Sequence, residues 1–155
     1  MTDFDDLLLG SDEPFATGAS EYLDYLPGSP EPHPRVYVQF RPEGVSPELS
    51  FLALVDTGAH YCILNKGVAD LIRDRLTESV GEMTLRTAHG PVRGSLYTYR
   101  IQLIAETGDD LSFECTLFIS PDWRASNFLG YVGALERLRF AVDAPKNRFY
   151  FGFPV

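Results

Sequence analysis

The sequence predicts a mostly β chain carrying one or two short helices, and three observations lead there. Apolar and polar residues alternate over short runs, as in Arg35-Val36-Tyr37-Val38-Gln39-Phe40, the pattern of a strand with one buried face. Turn-forming groups such as His89-Gly90-Pro91 and Thr107-Gly108-Asp109 separate those runs. Only one stretch of comparable length, about Lys66 to Leu76, repeats its apolar residues at helical spacing.

Taken in chain order, the first 34 residues stand apart. They hold eight of the 22 acids (Asp3, Asp5, Asp6, Asp12, Glu13, Glu21, Asp24 and Glu31) and no Lys or Arg, with five prolines and three glycines. This composition predicts a flexible acidic N-terminal arm over residues 1–34, followed by a folded domain over residues 35–155. Two apolar clusters interrupt the arm, Phe4 with Leu7 to Leu9 and Tyr22 with Leu23, Tyr25 and Leu26. They leave two readings open, an idle arm resting on the domain or a docking or self-inhibitory segment laid across a cleft. From Arg35 the first strand runs to Phe40. Pro42, Gly44 and Pro47 mark the turn into a second strand, Leu49 to Val55, and together they predict a hairpin. Val68, Ala69, Leu71, Ile72 and Leu76 then predict the amphipathic helix. Further strands are expected at Met83 to Thr87, Ser95 to Ile104, Leu111 to Ile119 and Phe149 to Phe153, with a short second helix from about Val132 to Leu138.

At 155 residues with 45% hydrophobic composition the chain fits one domain with a sizeable core. No apolar run reaches membrane-spanning length, and Met1 is followed by acids where a signal peptide would carry bases, so the expectation is a soluble, cytoplasmic protein with no membrane partner. Beyond the arm, 14 acids face all 13 bases, and neither part offers the basic footprint that nucleic acid requires. Cys62 and Cys115 lack Cys-x-x-Cys spacing and read as small buried apolar residues. His33, His60 and His89 stand apart from any other ligand type, which supports no metal site.

The residue that does not fit a plain strand is Asp56, which closes the apolar run Phe51-Leu52-Ala53-Leu54-Val55. Thr57, Gly58 and Ala59 follow: a hydroxyl for local hydrogen bonds, a glycine that permits a tight turn and close approach, and a small side chain. Such a run can present a carboxylate at the floor of a cleft. It can also be an ordinary strand-end acid capping a turn.

Val55-Asp56-Thr57-Gly58-Ala59 resembles the active-site motif of retropepsin-like aspartic proteases. Supporting the resemblance, Tyr61-Cys62-Ile63-Leu64 follows, Asn127-Phe128-Leu129-Gly130 matches the family's hydrophobic-hydrophobic-glycine element, and Val132 to Leu138 matches the short helix after it. Thr84 to Tyr97, with Gly90 and Gly94, resembles the flap hairpin that closes over substrate. Phe140-Ala141-Val142-Asp143 and Arg148 to Gly152 resemble the closing strands of bacterial members, so the likeness spans Arg35 to Gly152. It implies an acid-protease barrel, a polypeptide substrate and no cofactor.

The resemblance also implies roles. Asp56 becomes the catalytic acid or base, Thr57 the residue that bonds across the dimer beneath the aspartates, and Gly58 a contact for substrate backbone. Ala59, His60, His89, Gly90, Ile119, Leu129 and Gly130 are the expected substrate-binding positions, with His89 and Gly90 at the flap tip. The chemistry needs two carboxylates, one to take a proton from water and one to polarise the scissile carbonyl. Yet the chain has one Asp-Thr-Gly, since Glu106-Thr107-Gly108 begins with the wrong residue. A homodimer with both copies of Asp56 on its twofold axis follows. Where viral members pair an acid after the first motif with an arginine after the second, this chain has His60 and Tyr131, both partners changed together. A catalytically silent homodimer that binds extended peptide remains the alternative function. His60 and His89 also read as solvent-facing residues, and Trp123 as either a pocket border or packing.

Overall fold

Alternating apolar residues let a strand bury one face and solvate the other, and the chain uses this device throughout. The structure is a computed structural model that describes residues 14–24, 27–28 and 35–153. Its strands are β1 (Gly18–Glu21), β2 (Tyr37–Pro42), β3 (Phe51–Val55), β4 (Cys62–Ile63), β5 (Gly81–Thr87), β6 (Gly90–Leu103), β7 (Thr107–Gly108), β8 (Leu111–Ile119), β9 (Asn127–Leu129), β10 (Arg139–Asp143) and β11 (Arg148–Gly152). The helix α1 spans Lys66–Ile72.

Strands β2, β3, β9, β4, β8 and β6 are hydrogen-bonded in that order, and β2 pairs again with β6, closing a barrel. β5 lies outside it as the second arm of a long hairpin with β6. Inside, Val38, Phe40, Ile101, Leu103 and Leu117 are at most 1% exposed, and α1 covers the core with Val68, Ala69 and Ile72. Asn65 caps α1 by accepting the Gly67 N–H at 2.8 Å. Asp70 ties the outer face by pairing with Lys66 at 2.5 Å and with Arg73. The helix ends four residues before the predicted Leu76, because residues 73–75 tighten into a 3-10 turn.

Three expectations change. Residues 18–21, assigned to a flexible arm, form β1 between β11 and β7 in a second sheet of order β10-β11-β1-β7. Ala19 is 0% exposed and Tyr22 reaches the main core. The clusters at Phe4 to Leu9 and at Tyr25 and Leu26 lie outside the described residues. The helix expected from Val132 to Leu138 is a single 3-10 turn, Leu135–Arg137, since Gly133 in the left-handed region (φ 76°) breaks the helical path. Glu106-Thr107-Gly108, expected to be only a turn, contributes β7, which pairs with β1.

Among the described residues no helix is long and apolar enough to cross a membrane. Within the same residues, no group of three or more His, Cys, Asp or Glu side chains is placed to hold a metal ion.

Candidate functional site

Asp56 leaves the barrel where β3 ends, and its backbone is fixed before its side chain begins. β3 runs parallel to β9 with Val55 beside Leu129, and the Asp56 N–H donates to the Leu129 carbonyl at 3.0 Å. The Gly58 N–H donates back to Asp56 Oδ1 at 2.8 Å and the Ala59 N–H to the Asp56 carbonyl at 3.1 Å, a tight Asx turn that sets the carboxylate's direction. Beyond it, Tyr131 N–H donates to the Ala59 carbonyl at 2.9 Å and Val132 N–H to that of His60 at 2.8 Å. Gly130 makes this clasp possible, since a Cβ there would lie 2.2 Å from the Tyr61 carbonyl oxygen. Asp56 and Ala59 are half-buried, while Thr57, Gly58 and His60 are exposed.

The buried amide of Asn127 locks the same floor from below. It donates to the Leu52 carbonyl at 3.0 Å and accepts the Asn65 N–H at 2.7 Å, joining β3, β9 and the start of α1.

Opposite stands the β5–β6 hairpin, paired from Gly81 with Leu96 out to Thr87 with Gly90. Its tip, Ala88 and His89, is exposed and held locally: Thr87 Oγ1 donates to the Gly90 carbonyl at 2.7 Å and accepts the His89 N–H at 3.1 Å. Leu85 and Thr87 of this hairpin share one cavity of about 330 Å³ with Gly58, Ala59 and His60. Trp123 and Phe128 line it as well.

The structure thus brings Asp56, Thr57, Gly58, Ala59 and His60 together in one loop and places His89 and Gly90 at the tip of the facing hairpin. Of the expected binding residues Ala59 and His60 line that cavity; His89 and Gly90 stay at the hairpin tip outside its lining, and the other three lie apart from it. Leu129 is 2% exposed and points into the barrel core, because alternation along β9 gives the cavity side to Phe128. Gly130 is buried against Tyr61 and acts in packing. Ile119 borders a different groove, with Lys66, Ala69 and Tyr97. Leu85, Phe118 and Phe128 are among the lining residues that sequence reasoning missed, while Trp123, left open between pocket border and packing, lines the cavity; the period-two alternation of β9 was the available signal for Phe128. Cys62 and Cys115 are both buried, as apolar residues would be.

No protein-family model matches the chain, and no curated protein matches its sequence. Among solved structures, the crystal structure of a retropepsin-like aspartic protease from Rickettsia conorii aligns with a TM-score of 0.53 at 18% identity, covering 85% of this chain and 97% of that one. The fold is retropepsin-like. The retroviral protease-like domain of Ddi1 from Leishmania major aligns with a TM-score of 0.47 at 16% identity, over 78% of this chain and 94% of that one. The Simian Foamy Virus (mac) protease gives 0.39 at 16% identity, over 63% and 89%. In this retropepsin-like architecture the Asp56 loop and the β5–β6 hairpin face each other across the cavity.

Proposed function

We propose that the chain is an aspartic endopeptidase that acts as a homodimer, with Asp56 of each copy activating a water molecule for attack on a peptide bond. The observation that carries this reading is the presentation of Asp56: a half-exposed carboxylate, aimed by an Asx turn, at the open end of a barrel strand and beside an apolar cavity roofed by a hairpin. Among the described residues no carboxylate lines that cavity itself; Asp56 stands beside it, two residues before Gly58, which does. The Rickettsia protease of the same fold is in keeping with it.

The chemistry needs a second carboxylate, and a twofold copy supplies it. Two carboxylates within hydrogen-bond distance hold one proton between them and titrate as a pair. The charged member takes a proton from water while the protonated member polarises the carbonyl. Thr57 and Gly58, exposed beside Asp56, stand where a partner and a substrate backbone would meet the loop. The hairpin would close over the peptide and exclude water.

A twofold axis that brings the two copies of Asp56 together also brings Tyr131 to the contact. Its backbone is bonded to Ala59, and its side chain is 47% exposed. With His60 and Tyr131 in place of an ion pair, the contact relies on aromatic and apolar surface, and association should depend little on salt.

The test is cleavage of casein or a peptide library between about pH 4 and about pH 7, with Asp56→Asn as control and sedimentation run alongside. Loss of the carboxylate should lower the rate by about 10²-fold to 10⁴-fold and leave folding intact. Equal rates for both proteins would overturn catalysis and favour peptide binding alone. Full activity from a monomer would overturn the shared site.

A further inference from the structure

The end of β3 away from Asp56 gathers arginines. Arg41 of β2 commits three guanidinium donors: Nε to the Leu49 carbonyl at 2.6 Å, Nη2 to the Pro47 carbonyl at 2.6 Å and Nη1 to Gln102 Oε1 at 3.1 Å. All three acceptors are neutral, so the group is held in place with its charge unmatched and with donors to spare. Arg100 of β6 is exposed and lines the same recess. Glu114 lies opposite it on β8, without an ion pair between them. Arg75 rests on Gly44, where an added Cβ would collide with its guanidinium, and Gly44 lines the recess too. Among the described residues none of these three arginines makes an ion pair, although the chain carries a net charge of −9. Like charges gathered without a carboxylate partner repel one another, a cost that a bound anion removes. The recess measures about 240 Å³ and is completed by Gln102, Ser112 and Glu43. Because Gln102 Oε1 accepts from Arg41, its amide donors are left for a ligand.

We infer that this recess is an anion site for one phosphoryl group, carried by inorganic phosphate or by a phosphorylated side chain. Three guanidinium charges against the single carboxylate of Glu43 leave a double positive charge. A phosphoryl group, at about −1.5 to −2 near pH 7, matches it, whereas a carboxylate side chain supplies about half. The spare donors of Arg41, with those of Arg100, Gln102 and Ser112, likewise suit three acceptor oxygens better than two. The volume lies below the roughly 300–1,000 Å³ of ligand pockets. It therefore fits a single group and not the run of phosphates that a nucleic acid presents. Bound there, the anion ties the 43–50 loop to β6 through Arg41 and Arg100. The site is remote from the cleft: Phe40 pairs with Phe51 at the start of β3, and from there to Asp56 the chain covers about 17 Å. It stands whether or not Asp56 is catalytic.

Isotope-labelled full-length protein is titrated, with amide shifts as the readout, against inorganic phosphate and against chloride at the same ionic strength. Blocked tripeptides of glycine around phosphoserine, glutamate or serine are titrated in the same way. Shifts around residues 43–46, 100–102 and 112 should saturate with phosphate or with the phosphoserine peptide, and the glutamate peptide should bind about tenfold more weakly than whichever of these binds better. Arg100→Gln removes a side chain that makes no hydrogen bond or ion pair among the described residues. It should weaken binding by about tenfold and leave the thermal midpoint of the ligand-free protein unchanged. Glu43→Gln should tighten binding by about threefold. Arg35→Gln, at an exposed arginine outside the recess, should change nothing. Saturation by free phosphate alone supports the site with the ion as its ligand, and tighter binding of the phosphoserine peptide supports it with a modified side chain. Shifts that never saturate, that chloride reproduces, or that Arg35→Gln weakens as much as Arg100→Gln overturn the site. Tightest binding by the glutamate peptide overturns the phosphoryl assignment.

Discussion

The two walls that face each other across the cavity are held in opposite ways. Residues 56–60 are clasped on both sides, by β9 through Asp56 and by Tyr131 and Val132 through Ala59 and His60, over a floor with no room for a single methyl group at Gly130. The β5–β6 hairpin out to its tip is bonded chiefly to itself over residues 82–94, β6 joining β8 only from Ser95 onward, and no residue from 81 to 100 is fully buried. Local opening is cheapest where few apolar contacts are lost. The carboxylate thus sits on the more tightly held wall, and toward its tip the facing wall carries little but its own ladder. The proposed function, in which an extended chain is admitted and then surrounded, needs this division.

Substitutions in the floor should break that division most severely. Asn127→Ala removes a buried amide and strands both the Leu52 carbonyl and the Asn65 N–H, so unfolding free energy should fall by about 4 kcal/mol, read by denaturant titration. Gly130→Ala forces a Cβ onto the Tyr61 carbonyl, and no side-chain rotation relieves a contact with backbone. About 3 kcal/mol should be lost, with a thermal midpoint lower by roughly 2–4 °C for each of them. In the hairpin the same substitution is milder. Gly90 has φ 110° but nothing within 4 Å of an added Cβ, so Gly90→Ala should cost about 1 kcal/mol of backbone strain and leave the global melt nearly unmoved. A fall as large as that of Gly130→Ala would show that the hairpin is part of the cooperative core. Thr87→Val, which deletes both tip hydrogen bonds, should cost about 0.5–1 kcal/mol, visible as faster amide exchange confined to residues around the tip.

The smallest effect belongs to the floor's thiols. The Cys115 thiol donates to Cys62, and that bond together with burial holds its pKa well above the usual thiol range. Its folded-state pKa is raised, so its contribution to stability is intact below the ordinary thiol value of about 8.5 and declines as pH rises beyond it. A slight fall in thermal midpoint from about pH 8 to about pH 10 is expected, with no reaction of either thiol with a disulfide reagent in the folded protein at the lower pH.

How much of this could be read from the sequence depends on which force shapes each element. Where burial of large side chains decides, as in β2, β3, β8 and α1, alternation and helical spacing placed the element within a few residues. Asp56 was legible because an acid at the end of an apolar strand conflicts with its surroundings, and its motif carries a family likeness. β1 was not legible, because Gly18-Ala19-Ser20 has no large residue to alternate and its value lies in being small between neighbouring strands. Its proline-rich and acidic flanks pointed the other way. The short helix after Gly130 failed at Gly133, which takes a positive φ and approaches Thr116 too closely for a Cβ, neither of which a glycine in the sequence reveals. Leu129 was named, and Phe128 not, on the family likeness, which does not fix which face of β9 the core takes. Trp123 required the loop's own hydrogen bonds before packing and pocket could be told apart.

The pairing of β1 with β11 also fixes an order of events in synthesis. Gly18 lies opposite Phe151, 133 positions later, so β1 leaves the ribosome long before the strand it pairs with. At about 5–20 residues per second that interval is on the order of ten seconds, during which the barrel strands can close around their own core. Bringing such distant segments together carries the largest loop-closure entropy of any ladder described in this chain, and long-range pairings of this kind slow folding. The β1–β11 ladder therefore cannot form until translation has passed Gly152.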